Sequence, residues 1–177
     1  MSIQTNDSRV RQPQQGPRDH GSPWIEVIPA VSPDERLAAL EIRRRVFSEE
    51  QGVSDLRVAD SDDARSLIAL ATFPPAARGN RERRPVSTGR LTLPFIRGGQ
   101  ALVAWVATIP DARGQGAGGL VMRFLVAAAD SAGAREVALA AQLPAEDFYR
   151  RLGFSPVGPL YDVRGIPHRR MVRRHPS

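Results

Sequence analysis

A glycine-rich segment between two apolar segments constrains this chain most. Residues 113–119 read Arg-Gly-Gln-Gly-Ala-Gly-Gly. The run 101–109 before it is predicted to be a central strand, and residues 120–132 after it carry an apolar stripe at helical spacing, with Gly133 suited to the C′ position. Glycines let main-chain N–H groups approach an anion, and the start of a helix adds unpaired donors. The segment therefore predicts a site for a diphosphate.

Three classes of ligand compete for this loop. A P-loop needs a lysine followed by Ser or Thr, and the chain contains no lysine. A dinucleotide fingerprint is matched by Gly114, Gly116 and Gly119. That site also needs an acid at the end of the next strand and several more βα units, whereas the next strand ends in Ala-Ala-Gln at 140–142. Coenzyme A is the third class.

The amino-acid composition excludes several kinds of site. The chain has 177 residues and no cysteine, which excludes disulfides, thiolate metal ligands and a covalent acyl-cysteine intermediate. No spacing of ligands predicts a metal site. The net charge of +6 fits a nucleic acid or an anionic cofactor equally. No apolar run is long enough to span a bilayer, and the polar N-terminus lacks the apolar core of a signal peptide. The sequence thus predicts a cytoplasmic protein without membrane contact.

The order of elements predicts one domain behind a tail. Residues 1–23 are polar and are predicted to be a disordered tail, and residues 24–177 are predicted to form a single domain. Residues 49–63 are acid-rich and predicted to be a loop. Strands are predicted at 24–28, 66–73, 86–93, 101–109 and 136–141 with two more around 164–167, and helices at 32–47, 120–132 and 144–153.

Two motifs in register resemble the GNAT superfamily of N-acetyltransferases. Residues 106–118 resemble its signature, in which a strand feeds an Arg/Gln-x-x-Gly-x-Gly/Ala loop that binds pyrophosphate. One strand and one helix further on, residues 148–154 read Phe-Tyr-Arg-Arg-Leu-Gly-Phe and are similar to the superfamily's FY-x-x-x-GF segment. The resemblance covers residues 24 to 174.

Other segments resemble the ElaA-like branch of that superfamily. They are residues 45–51, the acidic stretch through Asp60 and Asp63, residues 141–142 and residues 165–171. Two features depart from the branch. Trp105 stands where it usually has arginine, and the arginine-rich loop 74–85, predicted to be solvated and mobile, is longer. Because both lie where substrate is met, the resemblance informs on the cofactor more than on the acceptor.

The resemblance implies an enzyme with a mixed α/β fold, a central mostly antiparallel sheet flanked by helices. It implies direct transfer of an acetyl group from acetyl-CoA to a small-molecule or peptide amine within a ternary complex, and it leaves a homodimer open. The residues implied to hold the cofactor are Val106, Ala107, Thr108, Arg113, Gly114, Gln115, Gly116, Ala117, Gly118 and Gly119.

The resemblance also assigns candidate catalytic residues. Tyr149 would donate a proton to the departing thiolate, and the alternative is an ordinary core tyrosine. Glu50 is the candidate base, although acidic loop residues are usually only solvated. The acid-rich loop hints at a cationic acceptor. For His168, a structural hydrogen-bonding role is the alternative to a role as base or as a contact for the acceptor. The residues expected to contact the acceptor are Trp105, Asp63 and His168.

Two other functions remain open at the level of sequence. A protein of this fold could bind acyl-CoA as a sensor without turnover. Arginine-rich segments at 43–45, 81–84 and 169–174 could bind nucleic acid. These segments lack interleaved aromatic residues, so nucleic acid is the weaker alternative.

Overall fold

One mixed sheet organises the molecule. The computed structural model describes residues 24–53, 58–74 and 83–175. Its strands are β1 (Glu26–Pro29), β2 (Leu67–Phe73), β3 (Arg84–Thr92), β4 (Gln100–Thr108), β5 (Glu136–Gln142), β6 (Ser155–Val163) and β7 (Ile166–Arg174). They lie in the order β1-β2-β3-β4-β5-β7-β6. Neighbours pair antiparallel, except that β4 and β5 pair parallel. The predicted fold class, a mostly antiparallel α/β sheet, is confirmed.

Helices pack on this sheet. The α-helices are α1 (Pro33–Arg43), α2 (Ala117–Ser131) and α3 (Glu146–Arg150). A π-helix over Arg44–Glu50 continues α1. Short 3-10 helices cover Ser61–Arg65, Pro110–Ala112 and Leu143–Ala145. Ser32 caps α1 in a capping box with Glu35, as the sequence predicts. None of the helices in the described ranges is long and apolar enough to cross a bilayer.

The core lies where α1 and α2 pack against β2, β3 and β4. One face of α2 buries Val121 and Leu125 completely. These side chains approach β3 so closely that a Cβ on Gly89 would lie 2.9 Å from each of them. Gly89 therefore lets α2 pack directly on the centre of the sheet, and this packing fixes the start of α2 relative to the end of β4.

The structure differs from the sequence prediction in local detail. The helix predicted from residue 120 begins at Ala117, because Gly116 takes a left-handed conformation (φ 86°) and ends the loop there. Residues 61–65, predicted to be loop, form a 3-10 helix capped by Asp60. The predicted tail 1–23 and residues 75–82 of the arginine-rich loop lie outside the described residues. After that gap, Arg83 pairs with Glu26 and Arg84 with Asp111.

Candidate active site

A bulge in β4 defines the centre of the site. Trp105 has a left-handed main chain with φ 57°. The pairing with β3 shifts there, since Thr88 faces Ala107 whereas Arg90 faces Ala104. A non-glycine residue in this region costs of order 1–3 kcal/mol, so its surroundings must hold it. Bulges of this kind bend a strand and redirect its side chains.

β4 and β5 separate just before this bulge. Their parallel pairing joins Gln100–Val103 to Glu136–Leu139, although β4 continues to Thr108 and β5 to Gln142. A cleft of about 910 Å³ opens between the two strand ends. The facing main-chain groups of the two ends lack each other as partners, so an extended ligand with amide groups can bind there as an added strand would.

The glycine loop forms one wall of this cleft. Gly114 (φ 74°) and Gly116 (φ 86°) are left-handed, and a Cβ on either would meet nothing within 4 Å. Gly118 instead lies against β4, where a Cβ would come 3.1 Å from the Thr108 hydroxyl. Above the loop, the first turn of the 15-residue helix α2 presents N–H groups without intrahelical partners. The loop is thus a cradle open to an anion.

The predicted cofactor residues gather here with one exception. Those that line the cleft are Val106, Ala107, Thr108, Arg113, Gly114, Gly116, Ala117, Gly118 and Gly119. Gln115 does not line it. Its side-chain amide turns back and donates to the main-chain carbonyl of Asp111 at 3.0 Å. If Gln115 contacts the cofactor as predicted, its main-chain N–H must make that contact, because the side-chain amide is already used.

Arg113 and Glu50 form a bidentate ion pair. The two guanidinium nitrogens of Arg113 lie 2.7 and 2.6 Å from the two carboxylate oxygens of Glu50, and its Nε donates to the Thr108 carbonyl. The hydrogen bond from Arg113 lowers the pKa of the Glu50 carboxyl. Glu50 itself does not line the cleft. A lowered pKa makes the Glu50 carboxylate a weaker base, because a general base works best when its pKa lies near the operating pH.

Replacing Glu50 with glutamine should tighten the binding of a diphosphate ligand at this loop by up to about fivefold. The half-exposed pair is worth about 0.2–1 kcal/mol, and its loss frees Arg113 for an anion. Titration calorimetry measures the change. Glu49→Gln is the matched control, because Glu49 pairs with Arg44 instead and should leave the affinity unchanged. If Glu50→Gln instead slowed turnover by a factor of about 100 or more, the result would support Glu50 as the base.

Tyr149 lies in the cleft wall on α3. Its ring is 7% exposed and packs edge-on against Phe148 and Phe154, with centroids 5.0 and 6.0 Å away. Burial raises the pKa of its hydroxyl, which therefore stays protonated at neutral pH. Among the described residues the hydroxyl has no hydrogen-bond partner. The proton is available to a ligand.

A buried ionic network holds Trp105 at the bulge. The indole Nε1 donates to Asp60 at 3.0 Å, the Phe47 ring lies edge-on at 5.4 Å, and the Arg43 guanidinium lies 5.2 Å from the ring centre. Arg43 in turn donates to both carboxylate oxygens of Asp63, at 3.0 and 2.9 Å. Trp105 lines the cleft. Asp63 does not line it and is paired with Arg43, and its contact with the acceptor stays a prediction.

The other acidic side chains of this region are also paired. Asp60 lies 2.6 Å from Arg90, and Asp62 lies 2.8 Å from Arg65. No aspartate or glutamate is among the described residues that line the cleft. The acid-rich segment therefore gives no support to a cationic acceptor. Within the described ranges, no three His, Cys, Asp or Glu side chains are placed to hold a metal ion.

Two glutamines that sequence reasoning did not place in the site join across the cleft. Gln51 and Gln142 exchange side-chain hydrogen bonds of 3.1 and 2.9 Å. The two residues are 91 positions apart, so no local spacing signals their contact. His168 faces Gln142 in the pairing of β5 with β7 and lines the cleft.

Sequence comparisons find a matching family model and a similar protein. A family model described as Acetyltransferase (GNAT) domain matches residues 96–174, which include the glycine loop and Tyr149. The UPF0039 protein sll0451 of Synechocystis is 32% identical over 142 residues, spanning 77% of this chain and 84% of that protein.

Solved structures match over most of the chain. An acyl-CoA N-acyltransferase from Pseudomonas aeruginosa is 27% identical with a TM-score of 0.69, covering 84% of this chain and 97% of that one. Escherichia coli ElaA is 24% identical with a TM-score of 0.71, covering 85% of this chain and all of that one (100%), and it shares the fold.

Proposed function

We propose that this chain, which belongs to the UPF0039 family and whose residues 96–174 match the GNAT acetyltransferase domain, transfers the acetyl group of acetyl-CoA to a primary amine. One observation carries the proposal. A single cleft joins an anion cradle at the start of α2, two separated strand ends and the protonated hydroxyl of Tyr149. This order matches a ligand with a diphosphate, an amide-bearing arm and a thioester.

The residues present fit coenzyme A. The left-handed glycines and the first turn of α2 would take the diphosphate through main-chain N–H groups, with Arg113 adding charge. The strand end over Val106, Ala107 and Thr108 would pair with the amide-bearing arm. Acetyl-CoA supplies the activated acetyl group, and the protein supplies position and protons.

Direct transfer to the acceptor is proposed because the chain has no cysteine to carry the acyl group. Tyr149 would protonate the departing sulfur. The acceptor is proposed to be a small molecule or a peptide amine. Nucleic acid receives less support, since Arg43 is buried on Asp63 and Arg44 pairs with Glu41 and Glu49.

Thermal unfolding with acetyl-CoA, NAD(H), ATP or buffer tests the proposal. A ligand that binds only the folded protein stabilises it by about 2.7 kcal/mol at one hundred times its dissociation constant. We expect a concentration-dependent rise in the unfolding midpoint with acetyl-CoA alone. A rise in the midpoint with NAD(H) and none with acetyl-CoA would show that the glycine loop binds a dinucleotide instead.

Two glycine variants test whether acetyl-CoA binds at the glycine loop. Gly116→Ala and Gly158→Ala both place a Cβ in open space at positive φ, so each should lose about 1–2 kcal/mol of stability. Only Gly116 lies in the cradle at the start of α2, whereas Gly158 lies in β6. We expect the acetyl-CoA shift to fall at least threefold in Gly116→Ala and to persist in Gly158→Ala. Equal shifts in both variants would place the ligand elsewhere.

A further inference from the structure

One histidine, His168, is among the described residues that line the cleft. Among the described residues that line it, the titratable ones are Arg113, Tyr149, Arg151, Arg164 and His168. Arginine stays protonated in proteins, and burial raises the pKa of the Tyr149 hydroxyl. An alkyl amine arrives as an ammonium ion and must lose a proton before it can attack a carbonyl. Elimination leaves His168 for that task.

The hydrogen bonding of His168 decides which of its ring nitrogens is free. Nδ1 lies 2.8 Å from the main-chain oxygen of Ile166. A carbonyl oxygen only accepts, so Nδ1 carries the hydrogen and donates it. In the neutral ring the lone pair is then on Nε2, which has no partner among the described residues. The ring also stacks on Tyr161, with centroids 6.2 Å apart and planes 27° apart.

The strand pairing puts this ring at the open part of the sheet. His168 faces Gln142, the last residue of β5, beyond the point where β5 has left β4. Gln142 is also the residue that reaches across the cleft to Gln51. His168 is thus half-buried, oriented from one side by the main chain and open to the cleft.

We infer that Nε2 of His168 is the base that removes a proton from the acceptor ammonium, a role that rests on the proposed acetyl transfer. One N–H bond of the ammonium breaks and its proton moves to Nε2, which leaves a neutral amine. The nitrogen lone pair forms the new C–N bond, and the electron pair of the breaking C–S bond stays on sulfur. Tyr149 protonates that sulfur and regains a proton from the acylated nitrogen. The imidazolium returns its proton to water.

The ring tautomer is the first test, and it needs no acceptor. Long-range ¹H–¹⁵N correlation spectra of the full-length protein with coenzyme A report which ring nitrogen is protonated. His168→Asn identifies the signals of His168 by their loss. We expect the Nδ1–H tautomer near neutral pH. The Nε2–H tautomer would overturn the inference, because the lone pair would then be on Nδ1, the nitrogen that lies against the Ile166 oxygen.

Two acceptors separate a base from a structural residue. Benzylamine is protonated at neutral pH, whereas O-benzylhydroxylamine has a similar shape and is neutral. We expect His168→Asn to lower kcat/KM about 100-fold with benzylamine and less than about threefold with O-benzylhydroxylamine, at an unchanged dissociation constant for acetyl-CoA. Asparagine can still donate to the Ile166 oxygen, so the local fold is retained. Equal losses with both amines would overturn the role.

His175→Asn is the matched control. His175 lies outside the cleft lining, 4.0 Å from Asp130, and its replacement should change neither rate. Failure of the proposed function would look different, since the wild-type protein would then neither bind acetyl-CoA nor acetylate either amine. Binding and turnover that are intact in the wild type, with no selective loss in His168→Asn, would reject only the base.

Discussion

Tyr149→Phe should slow turnover by about 100- to 10,000-fold and leave the dissociation constant of acetyl-CoA unchanged. The hydroxyl is protonated, lines the cleft and has no hydrogen-bond partner in the described part of the chain. Removal of the hydroxyl should therefore slow acetyl transfer without breaking a hydrogen bond inside the protein. The phenylalanine ring keeps the edge-on packing against Phe148 and Phe154 and no internal hydrogen bond is lost, so stability should not fall.

Release of free coenzyme A thiol gives the turnover rate, calorimetry gives the affinity, and thermal unfolding reports stability. The expected combination is a large loss of rate with the other two quantities unchanged. An unchanged turnover rate would leave Tyr149 as a core tyrosine and move the proton donor elsewhere. A protein that binds acetyl-CoA equally well before and after the change, yet shows no turnover in either form with any amine, would favour the sensor.

Local patterns predicted the glycine loop and the strand and helix that flank it. The glycine loop follows an apolar strand and precedes an apolar helix, and each of these signals lies within a few residues of the next. The one shift, a helix that starts at Ala117 instead of residue 120, arises because glycines at 118 and 119 look like loop in sequence. There the packing of Gly118 against Thr108 outweighs the low helix propensity of glycine.

The contacts of the acidic residues could not be predicted from local patterns, because their partners are distant in sequence. Asp63 and Glu50 were predicted to face substrate from an acidic loop, yet each is paired with an arginine, 20 and 63 residues away respectively. One signal was present for Arg43, which lies on the buried stripe of α1 with Ala39 and Ile42. A charge on an apolar stripe predicts a buried partner, although its spacing cannot identify which carboxylate that is.

Asp63→Asn should destabilise the protein by about 3–5 kcal/mol. Its partner Arg43 is fully buried, and removal of one member of a buried pair leaves an uncompensated charge. Arg43 also packs over Trp105, so its displacement should disturb the bulge in β4. Denaturant unfolding measures the free energy. The fluorescence of Trp105 reports the bulge, since the second tryptophan, Trp24, is already 87% exposed.

Neighbouring arginines provide the control for this effect. Arg43→Met should be destabilising to a similar degree, whereas Arg44→Met removes only half-exposed pairs with Glu41 and Glu49 and should cost less than about 1 kcal/mol. The double variant Arg43→Met with Asp63→Asn should lose less than the sum of the two single losses, because no buried charge is then left alone. Strictly additive losses would show that the two side chains do not depend on each other.

The same ion pair gives stability a defined dependence on pH. Burial raises the pKa of the Asp63 carboxyl, but hydrogen bonds from Arg43 and from the Asp60 main chain outweigh it, so the net pKa lies below the ordinary 3.8. A lowered pKa means that the stabilisation is complete above about pH 4 and is lost as the pH falls through the folded-state value. The difference in stability between wild type and Asp63→Asn should therefore be constant from pH 5 to 7 and shrink in stronger acid. A constant difference down to about pH 2 would show that the loss comes from packing instead of charge.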